Sequence, residues 1–392
     1  MARSITRRES LKRIASIAAT AALPICIPRL ASIARASEPP ITPSQTEQAN
    51  MPEIADRFMA RYKAPGLSVA ISHHGQIVYR TGFGFADQAA GEKVTPKHLF
   101  RIASISKPIT SVAIFTLIEK GQLKLSDFIF GSGAVLGFDF GSSYPDRVRK
   151  ITLEHLLTHT CGGWENDRND PMFLNLAMSA KALIRWTLEN QPLNYEPGTR
   201  YAYSNFGYCI VGRVIEKLGG KSYAEFVEQE VFARCGIDDM RIGGNTLLDT
   251  APGEVIYNGQ NGESPYDMNV RRMDSHGGWI GTPTDLVQFA LHVDGFSYSP
   301  DILEQSTIET MTAPTSANPN YAKGWFVNGF GNWWHTGSLP GLRTVMVRTS
   351  SGLCWAGFTN TRTEGIAVAL DQMMWDMAAS VRSWRVNESP RR

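Results

Sequence analysis

The segment RIASISKPITS sets Ser104 and Lys107 three residues apart, a hydroxyl and an amine. On a helix such positions share a face, with Cβ atoms roughly 5–6 Å apart, so the lysine amine reaches the serine oxygen. That pairing suits nucleophilic attack, in which the amine takes the hydroxyl proton while the oxygen adds to a carbonyl. A serine at a helix N-terminus also stands among outward-pointing backbone N–H groups, which stabilise a developing oxyanion. Taken alone the pair is common, and a capping serine beside a solvated lysine gives the same spacing. Two other stretches carry polar groups of the same kind. RYAYSNFGY holds Tyr203, Ser204 and Asn205, and NWWHTGSLPG holds His335, Thr336, Gly337 and Ser338.

Rival chemistries lack their residues. No G-x-S-x-G is present, which removes the α/β-hydrolase elbow. His155 and His159 follow Glu154, but a zinc helix of the H-E-x-x-H type needs the glutamate between them, so both read as structural loop contacts. LGGKS, ending at Ser222, has Ile215 where a phosphate loop requires glycine. Cys161, Cys209, Cys235 and Cys354 are widely spaced and form no C-x-x-C, so they read as buried free thiols, one disulfide being open to them in an oxidising compartment. No metal or organic cofactor is expected.

These groups need elements to position them. Ile54, Phe58, Met59 and Tyr62 recur at helical spacing. LSVAISHHGQIVYRTGFGFAD reads as a β-hairpin about a His-His-Gly turn. A helix is predicted from about Ser104 to Lys120, ended by Gly121. Pro108 fits only a first turn, which puts Ser104 near the helix N-terminus. From 122 to about 290, segments such as SAKALIRWTLEN and SNFGYCIVGRVIEKLGG alternate helix with loop. After about 320, NWWHTGS, RTVMVRTSSG and LCWAGFTNT read as strands, followed by a helix over roughly 364–384. The pattern predicts an α/β (α+β) fold. Residues 37–121 and 290–385 would form an antiparallel sheet from both termini, flanked by helices, with 122–289 inserted as an all-helical domain and 386–392 as a tail. A cleft between the two parts is the natural active site. Trp164, Trp279, Trp325, Trp333 and Trp334 are core residues or the lining of an apolar acyl pocket, and Trp333 would share a strand face with His335. Arg343 reads as a surface residue.

In this order the three polar sets resemble the serine β-lactamase and penicillin-binding-protein superfamily. The Tyr-x-Asn form looks like its class C branch, which includes D-alanyl-D-alanine carboxypeptidases, D-aminopeptidases and esterases. LEHLLTHTCGG and GGWIGTPTDLVQFA are similar to stretches that recur there, and the resemblance runs from about residue 50 to 380. It implies that Ser104 is acylated, that Lys107 and Tyr203 share removal of its proton, and that Asn205 binds the substrate amide and orients Lys107. Thr336, Gly337 and Ser338 would line the substrate, with the backbone N–H groups of Ser104 and Ser338 as oxyanion hole. Ordinary lysine and tyrosine need about three units of pKa depression, roughly 4 kcal/mol, to act as a base at pH 7. A close pair can share this, a charged Lys107 favouring the Tyr203 phenolate. His335, counted with the catalytic group, departs from the lysine usual in penicillin-recognising members. Neutral at pH 7, it forgoes on the order of a kilocalorie per mole of attraction for a carboxylate. The resemblance therefore implies an esterase or D-amino-acid peptidase acting on a small ester, amide or short peptide. A class C-type β-lactamase and a non-catalytic peptide-binding relative are the alternatives.

Charge is concentrated at one end. Without residues 1–36, the 39 basic and 37 acidic residues of the chain become 32 and 36, so the net charge moves from +2 to −4, which offers no electrostatic case for nucleic acid. Arg7-Arg8, an apolar run from Ile14 to Ile27 and a small-x-small site at Ala34 and Ala36 read as a twin-arginine leader for periplasmic or extracellular export. At about 14 residues the run is shorter than the roughly 20 that span a bilayer, so no membrane anchor is expected after cleavage.

Overall fold

A computed structural model describes residues 41–42, 45–260, 262–381 and 385–386. The leader expected over 1–36 and the end of the tail lie outside these residues. Seven antiparallel strands form the main sheet, in the order β4 (Glu92–Lys93), β3 (Gln76–Asp87), β2 (Gly66–His73), β11 (Leu353–Thr359), β10 (Leu342–Arg348), β9 (Trp333–Leu339) and β8 (Phe326–Val327). N-terminal and C-terminal strands meet where β2 pairs with β11, so the sheet is assembled from both ends of the chain as the alternation of apolar residues predicts. The hairpin β2–β3 turns through His74 and Gly75, both at positive φ (48° and 80°), the two-residue turn whose twist matches that of its strands.

Each face of the sheet is covered. Helix α1 (Gln45–Tyr62) and the C-terminal helix Ile366–Ala379 bury Met51, Phe58, Leu370, Met374 and Met377 against Val69, Ile71, Val345 and Trp355. Burying one such side chain is worth roughly 1.5–3 kcal/mol. The C-terminal helix ends five residues before the expected boundary. On the other face lies the helix Pro283–Leu291, packed on β2 and β11. Beyond the sheet is α2 (Ser106–Glu119), in which every residue from Ser106 to Leu117 is buried. A helix buried on all sides has to be central, and α2 packs against the helices Asn205–Gly219 and Asp274–Gly277.

The inserted segment is mainly helix and loop, with one departure. β6 (Arg241–Ile242) and β7 (Trp279–Gly281) pair with β5 (Phe100–Arg101) in a small three-stranded sheet. Runs of two and three residues are too short to leave a period in the sequence. A further pair joins β1 (Ile41–Thr42) to β12 (Arg385–Val386). All four cysteines among the described residues are buried and free.

Candidate active site

The chain enters the site through a backbone contortion. Ala103 has φ 48°, in the left-handed region that costs an L-residue roughly 1–2 kcal/mol. Neighbours on both sides hold this bend: Ile102 N–H donates to the Trp279 carbonyl at 2.9 Å, and Thr344 Oγ1 donates to the Ile102 carbonyl at 3.1 Å. Ser104 follows in a single 3₁₀ turn, Ala103–Ile105, that leads into α2. Between His98 and Leu117 it is the one residue that is not buried. Pro108 is the third residue of α2, inside its first turn.

Lys107 sits directly beneath. Its side chain is fully buried, with Nζ 3.1 Å from Ser104 Oγ, 2.8 Å from Asn205 Oδ1 and 3.1 Å from the His276 carbonyl. Burial drives the amine well below its ordinary pKa, a shift opposed by the Asp170 carboxylate. A neutral amine has two N–H bonds and one lone pair. The two carbonyl acceptors take the hydrogens, and the remaining direction faces the serine oxygen. Nζ also stands over the ring faces of Tyr203, 4.7 Å from the centroid, and Tyr208, at 5.6 Å.

Asn205 opens its helix, Ser204 capping it by accepting from Gly207 N–H at 3.0 Å. The expected contact of Asn205 with substrate finds its amide already engaged: Nδ2 donates to Asp170 Oδ2 at 2.7 Å and Asn166 Oδ1 at 3.0 Å. Tyr203 is half-buried at the cleft wall, with its phenol within hydrogen-bonding reach of Ser104. Burial pushes that phenol above its ordinary pKa. Burial thus drives both groups toward neutrality, lowering the Lys107 amine and raising the Tyr203 phenol.

His335 does not face the cleft as a charge. It is 1% exposed, and burial together with the Lys107 charge holds its pKa at about 3. Its Nδ1 lies 2.8 Å from the Thr336 carbonyl and therefore carries the proton, leaving Nε2 as acceptor for the Tyr321 hydroxyl at 3.3 Å. At His159 the roles are reversed. Nδ1 accepts from Ser204 N–H at 3.1 Å, so Nε2–H donates to Tyr321 at 3.1 Å. A directional chain results, running Ser204 to His159 to Tyr321 to His335 to Thr336. It ties the segment carrying Tyr203 to β9 and fixes both imidazoles as neutral tautomers.

The other β9 residues follow from strand alternation. Gly337 faces the nucleophile's segment with no room for a side chain: a Cβ there would lie 2.2 Å from the Ile102 carbonyl and 2.2 Å from Thr344 Oγ1. Thr336 and Ser338 point to the opposite face and are half-buried, Ser338 Oγ accepting from Arg362 at 3.4 Å. Arg343, expected on the surface, is half-buried opposite Ser338, its pKa lowered by burial and by Arg362. Of the tryptophans, Trp164, Trp279 and Trp325 are core, and Trp333 and Trp334 are half-buried.

Sequence reasoning missed Asp170, Tyr321 and the His276 carbonyl, and it took His159 for a loop contact. Only His159 had a signal, in its motif LEHLLTHTCGG. His155, four residues earlier, is the structural residue expected: its Nδ1 accepts from Thr152 N–H at 3.2 Å in a capping box. Among the described residues no cluster of His, Cys, Asp or Glu is arranged to hold a metal ion, and no helix is long and apolar enough to cross a membrane.

A family model described as beta-lactamase matches residues 51–375. Penicillin-binding protein 4* of Bacillus subtilis (strain 168) is 26% identical over 313 residues, 72% of this chain and 64% of its own. Esterase EstB of Burkholderia gladioli is 28% identical over 204 residues, 49% of this chain and 50% of its own. The chain thus spans between half and two-thirds of these relatives. D-amino acid amidase from Ochrobactrum anthropi SV3, solved with L-phenylalanine amide, superposes with a TM-score of 0.71 at 21% identity, covering 86% of this chain and 99% of its own. An octameric penicillin-binding protein homologue from Pyrococcus abyssi gives a TM-score of 0.69 at 22% identity, covering 85% and 77%. At these identities the solved structures establish the fold.

Proposed function

The chain belongs to the beta-lactamase family, and on that premise we propose that it is an exported serine hydrolase that cleaves small esters or amides through an acyl-enzyme on Ser104. One observation carries the reading. The Lys107 amine, fully buried and driven toward its neutral form, has both hydrogens engaged by carbonyl oxygens and lies 3.1 Å from Ser104 Oγ.

In acylation the Ser104 O–H bond breaks, its proton passes to Lys107 Nζ, and Oγ bonds to the substrate carbonyl carbon. The oxyanion is held by the backbone N–H groups of Ser104 and Ser338. Collapse expels the leaving group, which takes its proton from the site. Lys107 returns that proton, and Tyr203, kept protonated by burial, stands within hydrogen-bonding reach of Ser104 beside the transfer. Water then attacks the acyl carbonyl by the same route in reverse. His335 stands outside this proton path and holds β9 in place.

Ester and amide substrates are favoured over penicillins because the position usually filled by a lysine holds a neutral histidine. The esterase and amidase among the similar proteins support the same class. The experiment is labelling of the protein with a fluorophosphonate and, separately, with a tagged penicillin, followed by mass spectrometry. A fluorophosphonate adduct on Ser104, lost in Ser104→Ala and strongly slowed in Lys107→Ala, is expected. Rapid penicillin turnover would move the assignment to a β-lactamase, and labelling by neither reagent would leave a binding protein.

A further inference from the structure

The mechanism places a proton on Lys107 in a fully buried site, where an uncompensated ammonium is costly. Tyr203 and Tyr208 offer ring faces, and His159, His276 and His335 face it as neutral rings, their pKa values depressed partly by its own charge. One carboxylate acts on it, that of Asp170, which is 0% exposed, with Arg272 and Asp167 as its other charged neighbours.

Asp170 is connected to the amine through Asn205. A carboxylate accepts hydrogen bonds only, so its 2.7 Å contact must be with the Asn205 NH₂ group, and Oδ1 of that amide is thereby turned toward Lys107. Its second oxygen, Oδ1, accepts from Met172 N–H at 2.9 Å and caps the turn Pro171–Phe173. Arg272 clamps the loop beyond, donating to the carbonyls of Met172, Leu174, Asn175 and Met178. Both carboxylate oxygens are therefore fixed on a pinned loop.

We propose that Asp170 is a positioning residue for acylation: through Asn205 it holds Lys107 against Ser104, and it supplies the buried countercharge for the ammonium formed when Ser104 loses its proton. Asp170 touches neither substrate nor Ser104 and acts only through Asn205 and its charge. The inference rests on the hydrolase reading above. Burial holds the Asp170 carboxyl at about 6, so it is ionised above neutral pH, where the neutral amine is also most populated.

The test is the pH dependence of Ser104 labelling by a fluorophosphonate in the full-length protein, compared with Asp170→Asn and Asp170→Ser. Serine keeps an oxygen to cap Met172 N–H while removing the charge, and the melting temperature of each variant separates loss of fold from loss of the carboxylate. Without the carboxylate the ammonium is less favoured and Lys107 becomes a weaker base that deprotonates earlier. The acid limb should move to lower pH by about one unit, and the plateau rate should fall about tenfold or more. A plateau loss with an unmoved limb would reduce Asp170 to a packing role and overturn the proposal, as would wild-type behaviour in both variants. No adduct on Ser104 in the unmutated protein would instead remove the hydrolase reading, and this inference with it.

Discussion

Gly337 gives the sharpest test of how the site is assembled. β9 and the bend before Ser104 approach so closely that a methyl group at 337 would stand 2.2 Å from a backbone oxygen, 2.2 Å from Thr344 Oγ1 and 3.0 Å from Ala103 Cβ, where ordinary contact begins near 3.4 Å. The Thr344 hydroxyl can rotate, though at the expense of its bond to Ile102. The Ile102 carbonyl cannot retreat, because the same residue is tied by its N–H to β7. In Gly337→Ala, β9 must therefore withdraw by about 1 Å, carrying with it the Ser338 N–H proposed above for the oxyanion hole. A displacement of that size costs roughly 100-fold in rate, or about 2.7 kcal/mol in the barrier. Overpacking adds roughly 1–3 kcal/mol of lost stability. Hydrolysis of a nitrophenyl ester should show the loss in kcat rather than KM, with a lower melting temperature. Gly329→Ala is the control, since a Cβ there meets nothing within 4 Å. If Gly337→Ala keeps activity within threefold and melts like the wild type, β9 is not held against the nucleophile as described.

Tyr321→Phe removes the hydroxyl between His159 and His335 and strands two buried ring nitrogens, at roughly 1–3 kcal/mol each. Lower stability and a roughly tenfold slower kcat are expected, and unchanged urea midpoints and kinetics would show the chain to be incidental. His335 contributes a pH dependence of its own. Its folded-state pKa of about 3 lies below the unfolded value of 6.5, so between these limits the unfolded chain binds a proton that the native one refuses, and stability is lost as the pH is lowered, by up to ~1.4 kcal/mol per unit. His335→Asn should flatten the slope of unfolding free energy between pH 6 and 4, and identical slopes would show that the ring is not held neutral. His335→Lys should raise preference for carboxylate-bearing esters over matched neutral ones and shift the acid limb of kcat/KM to lower pH, and matched-substrate ratios equal to wild type would refute it.

The sequence made the polar trio legible and left the supporting residues silent, for a physical reason. Ser104 and Lys107 are near in sequence, and the position of Pro108 fixes where their helix begins. The hairpin and the C-terminal strands announce themselves by alternation and turn residues. Asp170 lies in the loop ENDRNDPMF, where an acid among asparagines reads as solvated surface. It is held by Asn205, 35 residues away, and the loop that follows it is pinned by Arg272, 102 residues away. Tyr321 is similarly mute, since a tyrosine in a short aromatic segment gives no indication that two histidines, 162 residues before it and 14 after it, will meet at its hydroxyl. His335 was located correctly on its strand, but alternation assigns it a face and not a partner. The expected role facing substrate gave way to one inside the wall.

The histidine and the aspartate have a common consequence for Lys107. Two unit charges about 6 Å apart at an effective dielectric near 20 interact by roughly 3 kcal/mol, or about two units of pKa. A second permanent cation at 335 would push the Lys107 proton further off and leave a feeble base. Held neutral by the Tyr321 chain, His335 imposes no such penalty, and Asp170 pulls in the favourable direction. Burial lowers the affinity of the amine for the Ser104 proton. The nearby carboxylate restores part of that affinity without touching the serine. The site thus gives up a handle for substrate carboxylates and retains a more basic amine. That exchange suits a hydrolase of neutral esters and amides, whose substrates bring no charge to be recognised but still need a nucleophile activated in the dark interior of the fold.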